Sequence, residues 1–251
     1  MELDIYQKEC KEKSVGGMTE SGISIKGNTS EIHSESVGSI PTFRTFDNLS
    51  VKLISCKDGK KYIIEHHYSH GCHNAPSPIY GLFQFDDLIG VLAFATPCSE
   101  NVRASIFGKE YVNNVIELHR LHILDGTPKN IESWFISRCL KMIQCDKPRI
   151  KAVVSFADST VGHKGIIYQA TNAYFYGMSP KSTFYIDTEN RLHHPRQCGK
   201  NISVQMALDM GWKPVKRNSK YRYFWLIGNK NEKRKYFNLI KVAILPYPKV
   251  I

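Results

Sequence analysis

From Val51 onward the hydrophobic positions switch between a period of two and a period near 3.6, and the switches mark the elements. VKLIS (51–55) reads as a strand, and KDGKKYIIEHHYSHG (57–71) reads as a helix closed by Gly71. A Pro-rich loop follows, then GLFQF (81–85) and IGVLAFA (89–95), two strands joined as a hairpin at Asp86-Asp87. VNNVIELHRLHIL (112–124) is a further strand, PKNIESWFISRCLKMI (128–143) a helix, IKAVVSFAD (150–158) a strand and HKGIIYQAT (163–171) a helix. Later, KYRYFWLI (220–227) alternates as a strand that buries Phe224. The order predicts an α/β (α+β) domain with a mixed central sheet flanked by helices.

Two boundaries carry local chemistry. Thr127 followed by Pro128 fits an N-cap with proline at the first helical position, which leaves Asn130 and Ser133 in the opening turn. Free amides there would accept a phosphate or carboxylate, and the Ser133 hydroxyl would add a donor; an ordinary capped helix is the plainer reading. Residues 1–45 are rich in Ser, Gly, Thr and Glu and lack a sustained period, which predicts an arm ahead of one domain over 46–251.

Composition narrows the setting. The seven cysteines are odd in number and form no CxxC pair, so reduced thiols and a cytoplasmic location are expected. No apolar run approaches the roughly 18 residues that span a bilayer. The formal charge is +11, and residues 211–251 hold eleven Lys or Arg against one acid, Glu232. Lys213, Lys216, Arg217, Lys220, Arg222, Lys233, Arg234 and Lys235 interleave there with Trp212, Tyr221, Tyr223, Trp225 and Tyr236. Cations mixed with rings suit phosphates and exposed bases, which favours nucleic acid over a merely solvated basic face.

HHYSHGCH places His66, His67, His70 and His73 close together with Cys72 among them. On a helix, His66 and His70 would share a face at the spacing of paired metal ligands; surface histidines at a helix end are the alternative. His119, His122 and His163 have simpler explanations as strand surface or helix start.

A strand, a phosphate-accepting helix, a second strand and a helix bearing IYQATN resemble the GCN5-related N-acetyltransferase fold, with its mostly antiparallel sheet. In that fold a helix tyrosine faces the leaving thiolate of coenzyme A, and Tyr168 occupies the place. Asn172 stands where glycine is usual, and Asn is the next best residue for a left-handed cap. The usual glycine-rich pyrophosphate loop is replaced by DGTPKNIES.

HHYSH (66–70), ELHRL (117–121), NIESWFIS (130–137), VVSFADSTVGHKGIIYQATNAYFYG (153–177), KYRYFWLIGNKNEKRK (220–235) and the terminal PYPK (246–249) resemble, in the same order, the phage Mom DNA-modification proteins. The resemblance implies transfer of a carbamoylmethyl-type group to adenine N6 in double-stranded DNA, hiding phage DNA from host restriction. It implies catalytic roles for His67 and Tyr68 beside Asp158, Tyr168 and Arg120. It also implies acetyl-CoA or a related acyl or glycyl donor, and iron held by His67 and Asp158. Asp158 ends its strand where a carboxylate either orients or deprotonates an amino group, or caps the next turn. Arg120 serves either an anion or a structural ion pair. A conventional acyl-CoA N-acetyltransferase acting on a protein or small amine and a non-catalytic DNA-binding anti-restriction protein are the competing readings.

Overall fold

The computed structural model describes residues 46, 48–195 and 202–249; the expected arm over 1–45 lies outside them. Ten strands are described: β1 (Leu49–Leu53), β2 (Ile79–Gln84), β3 (Asp87–Ala95), β4 (Val115–Ile123), β5 (Ala152–Asp158), β6 (Tyr174–Met178), β7 (Ser182–Ile186), β8 (Leu192–His193), β9 (Lys213–Arg217) and β10 (Lys220–Leu226). Seven form a main sheet in the order β1-β2-β3-β4-β5-β10-β6, and the other three form a small sheet in the order β8-β7-β9. Every neighbouring pair is antiparallel except β4 with β5. The mixed, mostly antiparallel sheet flanked by helices is the fold class expected.

The helices are α1 (Cys56–His66), α2 (Glu100–Ser105), α3 (Ile131–Asp146), α4 (Ile166–Gln169), α5 (Val204–Asp209) and α6 (Lys230–Phe237). A parallel pair needs a crossover, and α3 supplies it between β4 and β5. It buries Ile131, Phe135, Ile136, Cys139 and Ile143, one stripe at helical spacing, in the core that also holds Tyr168, Tyr223 and Trp225. Full burial of a side chain such as Phe135 contributes about 2–3 kcal/mol. A second core around Phe107, Val154 and Phe224 takes Tyr236, Leu239 and Ile240, and a third lies between α1 and β2–β3. Because cores cover both faces of β5, its AVVSFAD run is almost continuously buried.

Four expected boundaries are corrected. Helix α1 stops at His66, because His67 is already extended (φ −78°, ψ 134°) and His70 turns left-handed (φ 42°). His66 and His70 therefore do not share a helix face. Helix α3 starts at Ile131 rather than Pro128, because Asn130 is left-handed (φ 70°) and the Ile131 amide donates to the Pro128 carbonyl in a turn. The hairpin turns at Phe85-Asp86, with Gln84 facing Asp87. Helix α4 is only four residues long, Ile166 to Gln169. The small sheet went unforeseen. It extends the tip of the β6–β10 hairpin, whose base is set by Met178 opposite Tyr221 and by the Ser179 amide donating to Lys220 O at 2.8 Å.

Candidate active site

The parallel ladder is short: Val115, Ile116 and Glu117 face Ala152, Val153 and Val154, and then the strands part. Beyond that point β4 remains with β3 while β5 remains with β10. The Ser155 hydroxyl donates to the Leu118 carbonyl at 3.0 Å in the angle of the fork. A cleft of about 370 Å³ opens at the C-terminal ends of these parallel strands. His67, Tyr68, Arg120, Asp158 and Tyr168, far apart in sequence, all line it.

The polar wall on β4 comes from a bulge. Ala93 faces Arg120 and Phe94 faces Leu118, so His119 has no partner and the strand's parity slips. Ile116 and Leu118 before the bulge, and Leu121 and Ile123 after it, all pack on the α3 core. Arg120 is thereby released to the other face, where its Nε donates to Gly71 O (2.9 Å) and its Nη1 to His119 O (2.8 Å). No carboxylate among the described residues lies within 4.0 Å of it. Of the two expected uses, this favours an anion over a structural ion pair.

Tyr168 lies against Tyr223 and Trp225, with ring centroids 5.5 and 5.4 Å away. Burial pushes its hydroxyl up to about 12, against a hydrogen bond with Ser155 and with Tyr68 and Glu117 adding to the rise. Gly165 (φ 76°) ahead of α4 permits this packing, since a Cβ there would come 2.5 Å from the Tyr223 ring. Asn172 is left-handed (φ 58°) as expected, and the Ala173 amide donates back to Tyr168 O at 3.0 Å.

Asp158 does cap the following turn, accepting from the Thr160 amide at 2.9 Å. Its other oxygen lies 3.1 Å from Arg217 and 3.6 Å from Lys220. Burial raises its carboxyl, but the Thr160 hydrogen bonds and the two cations outweigh burial and hold it below the usual carboxylate range. A carboxylate so stabilised is a weak proton acceptor. Glu117, which sequence reasoning passed over, lines the same cleft, and among the described residues the basic side chain within 4.0 Å of it is His119 at 3.6 Å.

His67 is buried and titrates near 4, lowered first by desolvation and then by Arg120 and the surrounding histidines. The Ser69 amide donates to its Nδ1 at 3.1 Å, which assigns the proton of the neutral ring to Nε2. The iron expectation does not fit these donors. Both oxygens of Asp158 and the Nδ1 of His67 are engaged, His70 binds Ile64 O at 3.0 Å, and no group of three His, Cys, Asp or Glu suited to a metal occurs among the described residues.

Asn130 and Ser133 do not line the cleft. The Asn130 side chain makes no cap bond and the Ser133 hydroxyl donates to Asn130 O at 2.9 Å; the amides of Glu132 and Ser133 keep no acceptor among the described residues, which suits a phosphate-bearing donor.

The basic set divides. Lys220 lines the cleft, Arg217 stands beside it on Asp158, and Lys213 and Lys216 share β9 with Arg217. Arg222 is occupied by Tyr176, over whose ring it lies at 4.7 Å. Lys233, Arg234 and Lys235 sit on α6, which follows the Ala152 end of the sheet, roughly 20 Å along β5 from Asp158 at ~3.3 Å per residue. Trp225 is buried and bonded to Thr171. The exposed ring at the cleft is Tyr68, 57% exposed and 4.4 Å from His67.

A forked, mostly antiparallel sheet with a tyrosine and a carboxylate in the fork is an arrangement suited to group transfer. The chain belongs to the Mom protein family, whose profile matches residues 48–249. It is 32% identical over 206 residues to the methylcarbamoylase mom of Escherichia phage Mu, across 80% of this chain and 84% of that one. Among solved structures it is similar to an N-acetyltransferase from Staphylococcus aureus Mu50 (11% identity, 72% of this chain and 100% of that one, TM-score 0.41). It is also similar to yncA of Salmonella typhimurium, a putative acetyltransferase with its cofactor acetyl-CoA (8% identity, 73% and 96%, TM-score 0.42). No helix among the described residues is long and apolar enough to cross a membrane.

Proposed function

We propose that this protein transfers a small carbamoylmethyl-type group to the N6 amino group of adenine in phage DNA and so protects that DNA from host restriction. The observation that carries the reading is membership of the Mom family together with the likeness to a methylcarbamoylase along most of both chains. Adenine N6 is a poor nucleophile because its lone pair is delocalised into the ring, so the site must hold it closely and assist proton loss.

The cleft supports a division of labour. Glu117 takes the N6 proton as the new N–C bond forms, being the cleft carboxylate without a Lys or Arg partner among the described residues. Tyr168, held protonated near pH 7 by its high pKa, delivers a proton to the departing group, so the proton lost from N6 is balanced by one gained there. Arg120 and the Nε2–H of His67 oppose the negative charge that develops between them. Asp158 fixes Arg217 and Lys220 at the rim. An acyl or glycyl donor of the acetyl-CoA kind would supply the activated carbon, with its phosphates on the Glu132 and Ser133 amides. The base has to leave the duplex stack to reach this depth, and Tyr68 offers a face for it.

The test is nucleoside mass spectrometry on DNA from a host expressing the chain. A mass-shifted deoxyadenosine with the wild type, lost in Glu117→Gln, is expected. Unmodified adenine throughout, with acylated protein or amine in its place, would overturn the reading.

A further inference from the structure

The PYPK motif takes no part in the cleft chemistry, so its contacts call for a separate account. After α6 the chain packs Leu239, Ile240 and Val242 on the second core and then runs along β6, the last strand of the main sheet. There the Leu245 amide donates to Phe175 O at 2.8 Å, an antiparallel bridge on the strand's open edge. The Tyr247 hydroxyl donates to Ala173 O at 2.9 Å, and the Lys164 ammonium donates to Lys249 O at 3.3 Å. Lys164 and Ala173 are the two ends of the segment that carries Tyr168. Ala173 is also the residue whose amide closes on Tyr168 O at 3.0 Å.

We propose that residues 245–249 are a positioning strap for Tyr168, with the Tyr247 hydroxyl as its fastening; the proposal rests on the reading of Tyr168 as the proton donor to the leaving group. Edge protection alone would be met by the Leu245 bridge and the two prolines, neither of which needs a phenolic hydroxyl. Tyr247 is 45% exposed, so its bond to Ala173 contributes little burial, yet it fixes the carbonyl of the residue that ends the α4 turn. Four residues do not make a self-sufficient helix, and a segment this short takes its geometry from what holds its ends. A shift of about 1 Å in a group that must meet a reacting atom costs on the order of a hundredfold in rate.

Tyr247→Phe keeps the ring and the bridge and removes only the hydroxyl. Amide hydrogen exchange across residues 164–173 is expected to quicken by about tenfold or more, with the unfolding midpoint unchanged. Turnover on DNA is expected to fall about ten- to a hundredfold while KM for DNA holds, the signature of a displaced reacting group. Lys249→Ala, which leaves the carbonyl in place, should match the wild type in both measurements. Unchanged exchange in Tyr247→Phe overturns the strap whatever the activity. Faster exchange with wild-type kcat overturns its link to Tyr168. Should the wild type modify no adenine, the functional reading fails on its own, and the exchange data still decide whether the strap exists.

Discussion

The carboxylate of Asp158 lies 3.1 Å from the guanidinium of Arg217, joining the end of a main-sheet strand to the small sheet across 59 residues of sequence. Asp158→Asn keeps an acceptor for the Thr160 amide but leaves Arg217, largely shielded from solvent, without its counter-charge. A loss of roughly 1–3 kcal/mol at pH 7 is expected. Because the folded carboxyl titrates below its ordinary value, the stabilisation is present above about pH 4 and is lost as pH falls through the folded pKa. Denaturant titrations of wild type and variant should therefore converge as the pH is lowered below the ordinary carboxylate range.

His67 works in the same direction as Asp158 but over a higher pH range. Its folded pKa of about 4 lies below the ordinary 6.5, so between those values the unfolded chain binds the extra proton and stability drops as the solution is acidified. The full difference amounts to about 3 kcal/mol. His67→Gln should flatten the stability slope between pH 7 and 4.5, measured by urea unfolding at half-unit steps.

Tyr168→Phe keeps both aromatic contacts and loses one hydroxyl, so it should fold and melt close to the wild type. Its turnover should fall by about 10²–10⁴, and Glu117→Gln should fall by a similar factor. Single-turnover assays on modified-base formation check both. If Glu117→Gln were fully active and Asp158→Asn inactive yet stable, the proton acceptor would be Asp158.

The split of the basic residues predicts unequal salt effects. Neutralising Lys213, Lys216 and Lys220, at or near the cleft end, should flatten log affinity against log salt by about 0.9 for each lost phosphate contact. The Lys233, Arg234 and Lys235 triple on the distant α6 should change it less. Titrations of duplex DNA at three or more salt concentrations distinguish them.

At Asn172 the backbone is left-handed (φ 58°) just ahead of the Ala173 amide that closes on Tyr168. Asn172→Ala should cost about 1 kcal/mol, whereas Asn172→Gly should be near neutral. Thermal unfolding measures both.

What the sequence disclosed here is what short-range physics controls. The α3 stripe, the apolar β5 and the left-handed Asn172 depend on neighbours within a few residues, and each is visible in the string. The β4 bulge is also visible in principle, since the apolar set Ile116, Leu118, Leu121, Ile123 slips phase between His119 and Arg120. Glu117 went unnoticed because a carboxylate on an alternating strand carries no local mark of the fork beside it. The Asp158–Arg217 pair, the removal of Arg222 onto Tyr176 and the distance of α6 from the cleft depend on strand order, which hydrophobic period does not encode.

The small sheet grows from the tip of the β6–β10 hairpin, and its own pairing runs from Ser182 opposite Arg217 to Ile186 opposite Lys213. Its entry and exit therefore lie side by side, as they do in insertions that folds tolerate. Selection can lengthen, trim or recharge this lobe while the strands that hold Glu117 and Tyr168 keep their registers. Through all such change the lobe stays fastened to the rim of the cleft by Arg217 on Asp158.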